Sequence, residues 1–166
     1  MLATIRFGKL GDYELKLSRL ADGAADIAGK AIYAGAKIIA DKVKENLNAL
    51  NTSTQQLAMQ AARNKKPAYI TDTAKEGLIQ SFGVSNMQKD ADGIYNVKVG
   101  FDGYNSVKTS SYPNGQPNQL IARACESGSS AMIKQPFMRK AVNASKKTAE
   151  AKMAEIIDKE LKKLEG

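Results

Sequence analysis

The sequence contains no histidine and no tryptophan, and its only cysteine is Cys125. Without histidine the chain offers no imidazole general base, no histidine ligand for zinc and no histidine-based pH switch. One cysteine cannot form an internal disulfide, a pattern typical of proteins made in a reducing cytosol. Because no histidine is present to activate its thiol, we interpret Cys125 as a buried structural residue.

Long apolar runs and nucleotide-binding motifs are absent as well. No stretch of about eighteen apolar residues occurs, so the sequence predicts no membrane-spanning helix. Residues 1–7 lack the basic and then apolar pattern of a signal peptide. The chain has no P-loop, no Gly-x-Gly-x-x-Gly motif and no nucleophile beside an evident base. The sequence therefore predicts a protein that is not an enzyme, with no cofactor and no metal site.

The composition that remains is that of an ordinary globular protein. Of the 166 residues, 43% are hydrophobic and 25% are charged, which predicts a single domain over residues 1–166 with its own core. The 25 basic and 17 acidic residues give a net charge of +8, which favours an acidic partner: nucleic acid, an anionic membrane surface or an acidic protein. The basic residues are dispersed and no helix-turn-helix or zinc finger is visible, so a basic nucleic-acid-binding module is the alternative function.

The N-terminal half is predicted to begin with a strand and a long helix. Residues 2–7 alternate loosely between apolar and polar, which indicates a strand, and Asp12 is predicted to cap a brief helix. A long helix is predicted over residues 24–50, because apolar residues recur there at three- or four-residue steps: Ala28, Ile32, Ala36, Ile39, Val43 and Leu47. Small residues between Gly29 and Ala36 allow close approach by another backbone, either within the core or in a neighbouring subunit.

The middle of the chain is predicted to hold two short helices and a β-hairpin. The helices cover about residues 53–63 and residues 71–81, and the basic cluster at 63–66 is either a solvated helix end or a surface for DNA or an acidic partner. The hairpin strands lie near 82–86 and 94–101. We interpret the Asp-x-Asp-Gly sequence at 90–93 as a turn, because it lacks the further ligands of a calcium loop.

The C-terminal part is predicted to contain a loop and two more helices. Residues 103–116 are rich in Gly, Ser, Asn and Tyr, which indicates a mobile contact loop. A short helix at 119–126 is predicted to end in a left-handed Gly128, and a terminal helix is predicted from Pro136 to about Leu164. Its expected apolar stripe comprises Val142, Ala149, Met153, Ile156, Leu161 and Leu164. The fold class is therefore α+β, with long N- and C-terminal helices packed on a small antiparallel sheet.

The segment from Cys125 to Ala141 resembles a known family. It holds Glu126-x-Gly128-Ser-Ser-x-Met132, followed by Pro136-Phe-Met-Arg-x-Ala141 at the start of the terminal helix. This pattern is similar to the C-terminal signature of small head–tail joining or tail-completion proteins, the neck components of long-tailed phages and prophages. Upstream, Leu78-Ile-Gln-Ser-Phe82 resembles the Leu-x-x-Ser-Ile/Phe step that precedes the sheet in that family.

The resemblance implies a structural protein of virion assembly. It implies a non-enzymatic protein that completes the tail or joins head to tail as a homo-oligomeric ring, made in the host cytoplasm and located in the virion near DNA. The implied partners are head-connector or adaptor proteins and tail-tube or terminator proteins, with no membrane partner. Under the assembly role that the resemblance implies, we predict interface contacts in the 104–116 loop and the 126–139 segment: Tyr104, Tyr112, Glu126, Gly128, Met132, Pro136, Phe137, Met138 and Arg139. Phe137 is also expected to anchor the terminal helix in the core, and Glu126 to lie at a helix end.

Overall fold

The computed structural model describes residues 2–6 and 23–165 of the chain. The brief helix predicted after Asp12, with Leu15, Leu17 and Leu20, lies outside the described residues. The described elements are, in order, β1 (Leu2–Arg6), α1 (Ala24–Asn48), α2 (Gln55–Arg63), α3 (Asp72–Ser81), β2 (Phe82–Val84), β3 (Gln88–Lys89), β4 (Tyr95–Phe101), α4 (Asn118–Ser127) and α5 (Met138–Glu165). The predicted α+β class, with long first and last helices, is confirmed.

Strand β4 lies at the centre of a small antiparallel sheet. Strand β1 pairs with one edge of β4, with Leu2 opposite Gly100 and Arg6 opposite Asn96. Strands β2 and β3 pair in succession along the other edge. Val97, Val99 and Phe101 of β4 are buried, because the helices cover the face of the sheet from which these alternate residues project.

The predicted hairpin forms, but its first strand is divided. The strand predicted to run from Phe82 to Asn86 stops at Val84, and pairing resumes at Gln88. At the break, the hydroxyl of Ser85 accepts the backbone N–H of Lys98 at 2.9 Å, in the place of a backbone carbonyl. The turn that follows is organised by Asp90, whose carboxylate accepts the N–H groups of Asp92 and Ile94 at 3.0 and 2.9 Å. This confirms the interpretation of that segment as a turn.

Helices α1 and α5 pack lengthwise against each other, and their order of contacts is antiparallel. Near one end, Lys30 Nζ lies 2.9 Å from Glu160 Oε2; near the other, the Asn46 side chain donates to the carbonyl of Phe137 at 3.1 Å. Between these points Gly35 faces α5 so closely that a Cβ there would lie 2.5 Å from the sulfur of Met153. All six apolar residues predicted to face inward from α1 are buried. The small residues of α1 therefore serve a contact within the chain.

Helix α5 differs from its prediction in two respects. It begins at Met138, so Pro136 precedes the helix and is not in its first turn. Its buried side chains are Met138, Ala141, Ser145, Ala149, Met153 and Ile157, whereas Val142, Ile156 and Leu161 are half-buried and Leu164 is exposed. The prediction that Leu164 belongs to the inward apolar stripe is wrong. Leu164 lies one turn beyond Glu160, and Glu160 already pairs with Lys30 near the start of α1.

Candidate interaction surface

Glu126, at the end of α4, caps the N-terminus of α5. Its Oε2 accepts the backbone N–H groups of Phe137 and Met138 at 2.8 and 2.9 Å, and its Oε1 accepts that of Arg139 at 3.1 Å. The side chain is almost fully buried, with 1% of its surface exposed. The first N–H groups of a helix have no partner within the helix, and they carry the positive end of the helix dipole. A buried carboxylate is therefore well matched to this position.

Gly128 ends α4 in a conformation that only glycine adopts easily. Its φ is 77° and its ψ is 162°, so φ is positive as predicted, but ψ lies far from the left-handed helical value expected for a C′ residue. A Cβ at this position would lie 2.9 Å from the Cβ of Lys134. The chain can turn out of α4 and pass close to Lys134 because residue 128 has no side chain.

The loop between Gly128 and Pro136 is bound to three other parts of the chain. The backbone of Gln135 donates to the carbonyl of Cys125 at 2.7 Å. The Gln135 side chain exchanges two hydrogen bonds of 2.9 Å with the backbone of Asn51. Ala68 donates to Ala131 and accepts from Ile133. These contacts hold the loop along its length.

Phe137 lies in the core immediately before α5. It is 1% exposed, and its ring meets that of Phe101 edge-on at a centroid distance of 5.9 Å. Phe101 in turn lies 5.3 Å from Phe82. The position agrees with the predicted role of Phe137 as an anchor. Cys125 is buried as predicted, and burial, together with the charge of Glu126, raises the pKa of its thiol to about 11, so the thiol is protonated at neutral pH.

The residues predicted as interface contacts fall into three groups by burial. Glu126, Phe137 and Met138 are buried, and Gly128, Met132, Pro136 and Tyr112 are partly buried, whereas Tyr104 and Arg139 are exposed. The buried members hold α5 in place within the chain. The exposed members are available on the surface of the free chain. A role for all nine in an interface stays a prediction.

The loop at residues 103–116 contains no helix or strand, and both of its ends are held by hydrogen bonds. Asn105 is buried and donates through its amide to the carbonyl of Ala74 at 3.1 Å and to the side chain of Asn118 at 3.0 Å. The Asn118 amide donates to the carbonyl of Asp102 at 2.9 Å. Tyr104, beside this network, is 73% exposed. Hydrogen bonds thus hold the two ends of the loop, and the mobility predicted for residues 103–116 stays a prediction.

Helix α2 and the residues after it form a projection, here called the α2 arm (residues 54–66). No side chain of α2 is buried, and Leu57 and Met59 are 58% and 48% exposed. The arm begins at Thr54, whose hydroxyl accepts the N–H of Leu57 at 3.3 Å. Its base is closed by a 2.9 Å hydrogen bond from Ser53 N–H to the carbonyl of Ile70. The arm is thus a well-formed helix that the rest of the described chain does not cover.

A groove of about 800 Å³ runs along α3 and the start of the 103–116 loop; it is here called the acidic groove. Its charged lining residues are Asp72, Glu76 and Asp102, and among the described residues that line it there is no lysine or arginine. Tyr104 forms part of its wall. The three carboxylates do not form a metal-binding cluster, and no such cluster of His, Cys, Asp and Glu occurs in the part of the chain that the structure describes.

The sequence did not predict three of these features. Glu126 was expected only as a helix-end residue, and the exposure of α2 and the acidic groove were not expected. The one available signal was the composition of residues 46–71, which include no Asp or Glu. Burial of a helix and the position of a groove depend on contacts between distant residues, which local patterns do not encode.

A protein-family model described as "Bacteriophage HK97-gp10, putative tail-component" matches residues 12–114, more than half of the chain. The segment at 126–139 lies outside the matched range. No curated protein and no solved structure matches the chain. Across residues 2–6 and 23–165, no helix has both the length and the apolar character needed to cross a bilayer.

Proposed function

Because the chain belongs to the HK97-gp10-like family of phage tail components, we propose that it completes the tail or joins the DNA-filled head to the tail during virion assembly. In this role it is a structural protein and not an enzyme. It is made in the cytoplasm of the bacterial host and becomes part of the virion. Its partners are the head-connector or adaptor proteins on one side and the tail-tube or terminator proteins on the other.

The observation that carries the proposal is the α2 arm on a chain of this family. An assembly protein needs surfaces that remain uncovered in the free chain and become buried against neighbours. Met59 on α2 and Tyr104 beside the acidic groove are large, exposed side chains of types enriched in protein interfaces, and Leu57 on α2 is a further exposed apolar side chain. Two separate surfaces on one chain also support contact with more than one neighbour, as a ring at a joint requires.

The distribution of charge favours this function over the nucleic-acid-binding alternative. In the C-terminal half of α5 lysines are interspersed with acids, and two of them form short ion pairs, Lys152 with Glu155 at 3.0 Å and Lys163 with Glu160 at 2.8 Å. Lysines paired in this way offer little to a phosphate backbone, whose binding depends on many uncompensated cations. In the proposed role the protein lies near the DNA channel, where a positive net charge is favourable even without contacts to the bases.

The test is electron microscopy of an induced lysate from a phage or prophage that carries this gene, with the gene deleted. We expect DNA-filled heads lying apart from finished tails, and joined particles when the wild-type gene is supplied on a plasmid. Joined particles in the deletion strain at the wild-type frequency would contradict the proposal. Salt-dependent DNA binding by the purified protein would then be the next measurement.

A further inference from the structure

Helix α2 is too short to be stable as an isolated helix. It has nine residues, and isolated helices of that length are marginal in water. At 100° per residue, Leu57, Ala61, Ala58, Ala62 and Met59 lie on one side of the helix, here called the apolar arc, with Gln55 between Ala62 and Met59. The other side carries Gln56, Gln60 and Arg63. Ala58 and Ala61 are half-buried, and no member of the apolar arc is fully buried by the described residues. Exposed apolar helix faces are surfaces that the grooves of partner proteins bind.

The charge of the α2 arm defines the chemistry of that partner. The arm carries Arg63, Lys65 and Lys66, and the nearest acids along the chain are Glu45 and Asp72. None of the three cations takes part in the ion pairs formed within residues 2–6 and 23–165. A partner that covers the apolar arc must therefore also present acidic groups near the C-terminal end of α2.

The same chain offers a surface with these properties. The acidic groove has three carboxylates and no cation among its described lining residues, and Tyr104 supplies an exposed aromatic wall. Asp72, Glu76 and Asp102 are exposed and, like the arm cations, take no part in those ion pairs. Three uncompensated cations on the arm thus match three uncompensated carboxylates in the groove.

The arm does not fill the groove of its own chain, since no residue of 54–66 lines it. We infer that the α2 arm of one copy docks in the acidic groove of the next copy. The two surfaces differ, so the contact is head-to-tail, and repetition of one such contact closes a ring when the rotation between neighbours permits. This inference rests on the proposed function and specifies which surfaces build the ring.

Charge reversal tests the pairing, because the two surfaces can be altered separately. The arm-reversed variant is R63E/K66E, and the groove-reversed variant is E76K/D102K. A ring built from either variant alone would have like charges facing each other at every contact. We expect this repulsion to raise the dissociation constant of the contact about tenfold or more. The four-substitution chain restores opposite charges at every contact.

The variants are supplied to the deletion strain, and joined particles are counted by electron microscopy. We expect at least a tenfold loss for each reversed variant and recovery for the four-substitution chain. Leu57→Gln should also reduce the count, whereas Leu164→Gln, a change at an equally exposed leucine (58% each), should not. Thermal melting of each purified variant establishes that it is folded.

Particles that join normally with either reversed variant would overturn the inference. So would an arm-reversed defect that the groove-reversed substitutions fail to repair, because the arm would then bind a different acidic component, such as another tail protein or DNA.

Cross-linking separates this inference from the proposed function. A chain with Met59→Cys and Gln80→Cys, treated in the lysate with a short bis-maleimide, should give a ladder of dimers and larger species. Cys125 is buried and does not interfere. The matched control is Leu164→Cys with Gln80→Cys. If the deletion strain joins its particles normally, the proposed function fails, and a ladder above the control still supports the contact. No ladder above the control overturns the contact whatever the deletion shows.

Discussion

The backbone N–H of Phe137 donates to the carboxylate of Glu126 at 2.8 Å, and the two residues are eleven positions apart. The last turn of α4 thereby holds the first turn of α5, while the ring of Phe137 enters the core beside Phe101. Polar and apolar contacts fix the same point, where the longest helix of the chain begins.

Glu126→Gln should destabilise the protein by about 1–3 kcal/mol. The amide replaces one carboxylate oxygen with a donor, so at least one of the three N–H groups at the start of α5 loses its acceptor. The free energy of unfolding is measured by urea denaturation. Glu155→Gln is the control, an exposed position on α5 where the change should stay within about 0.5 kcal/mol. Equal stability of Glu126→Gln and wild type would show that the second acceptor oxygen and the negative charge of Glu126 contribute nothing.

Phe137→Ala should cost about 3–5 kcal/mol, because it removes a fully buried ring and leaves a cavity beside Phe101. Tyr104→Ala removes an aromatic side chain of similar size from an exposed position and should change the stability by less than about 0.5 kcal/mol. The comparison is made by thermal and urea unfolding. An unchanged melting curve for Phe137→Ala would reject its role as an anchor.

Gly128→Ala should cost about 1–3 kcal/mol or more, because the φ and ψ of residue 128 are accessible almost only to glycine and the new Cβ meets Lys134. Gly83→Ala is the matched control, since no heavy atom lies within 4 Å of a Cβ built there. Both variants are compared with wild type by urea denaturation. Similar stabilities for the two would mean that the loop after α4 relaxes at no cost.

The ion pairs of Glu160 should make the stability depend on pH in the acid range. Hydrogen bonds from Lys163 and then Lys30 lower the pKa of Glu160 to about 2 from its ordinary value of 4.5. Its contribution is therefore fully present above pH 4.5 and is lost as pH falls towards 2. The difference in Tm between wild type and Glu160→Gln should be largest at neutral pH and low salt and vanish near pH 2. A difference that stays constant over this range would contradict the assignment.

Local patterns in the sequence predict the elements well. Helix α1 was predicted at 24–50 and runs from Ala24 to Asn48, because a regular apolar spacing marks one face along its whole length. Helix α3 is predicted over residues 71–81 and runs from Asp72 to Ser81, and its cap is equally local, because Thr71 Oγ1 accepts the N–H of Ala74 at 3.2 Å. Signals of this kind lie within a few residues of the element they define.

Relations between distant residues were not predictable in the same way. Nothing near Glu126 indicates that its carboxylate caps a helix eleven residues later. The prediction placed the half-buried Ile156 and the exposed Leu164 on the inward face of α5 instead of the buried Ile157. Near the end of the packed part of α5, Glu160 meets Lys30 near the start of α1, and no local pattern in α5 marks that point. Helix α2 has a regular apolar arc, yet none of it is buried. The pattern specifies a helix, and only the assembled fold specifies what that helix contacts.

The closed base of the α2 arm has a consequence for how such a protein can diversify. Ser53 and Ile70 are joined by a backbone hydrogen bond, and backbone hydrogen bonds can be kept by almost any side chain. Residues 54–66 also include no buried side chain. Changes in the length or charge of this segment therefore leave the packing of the core unchanged.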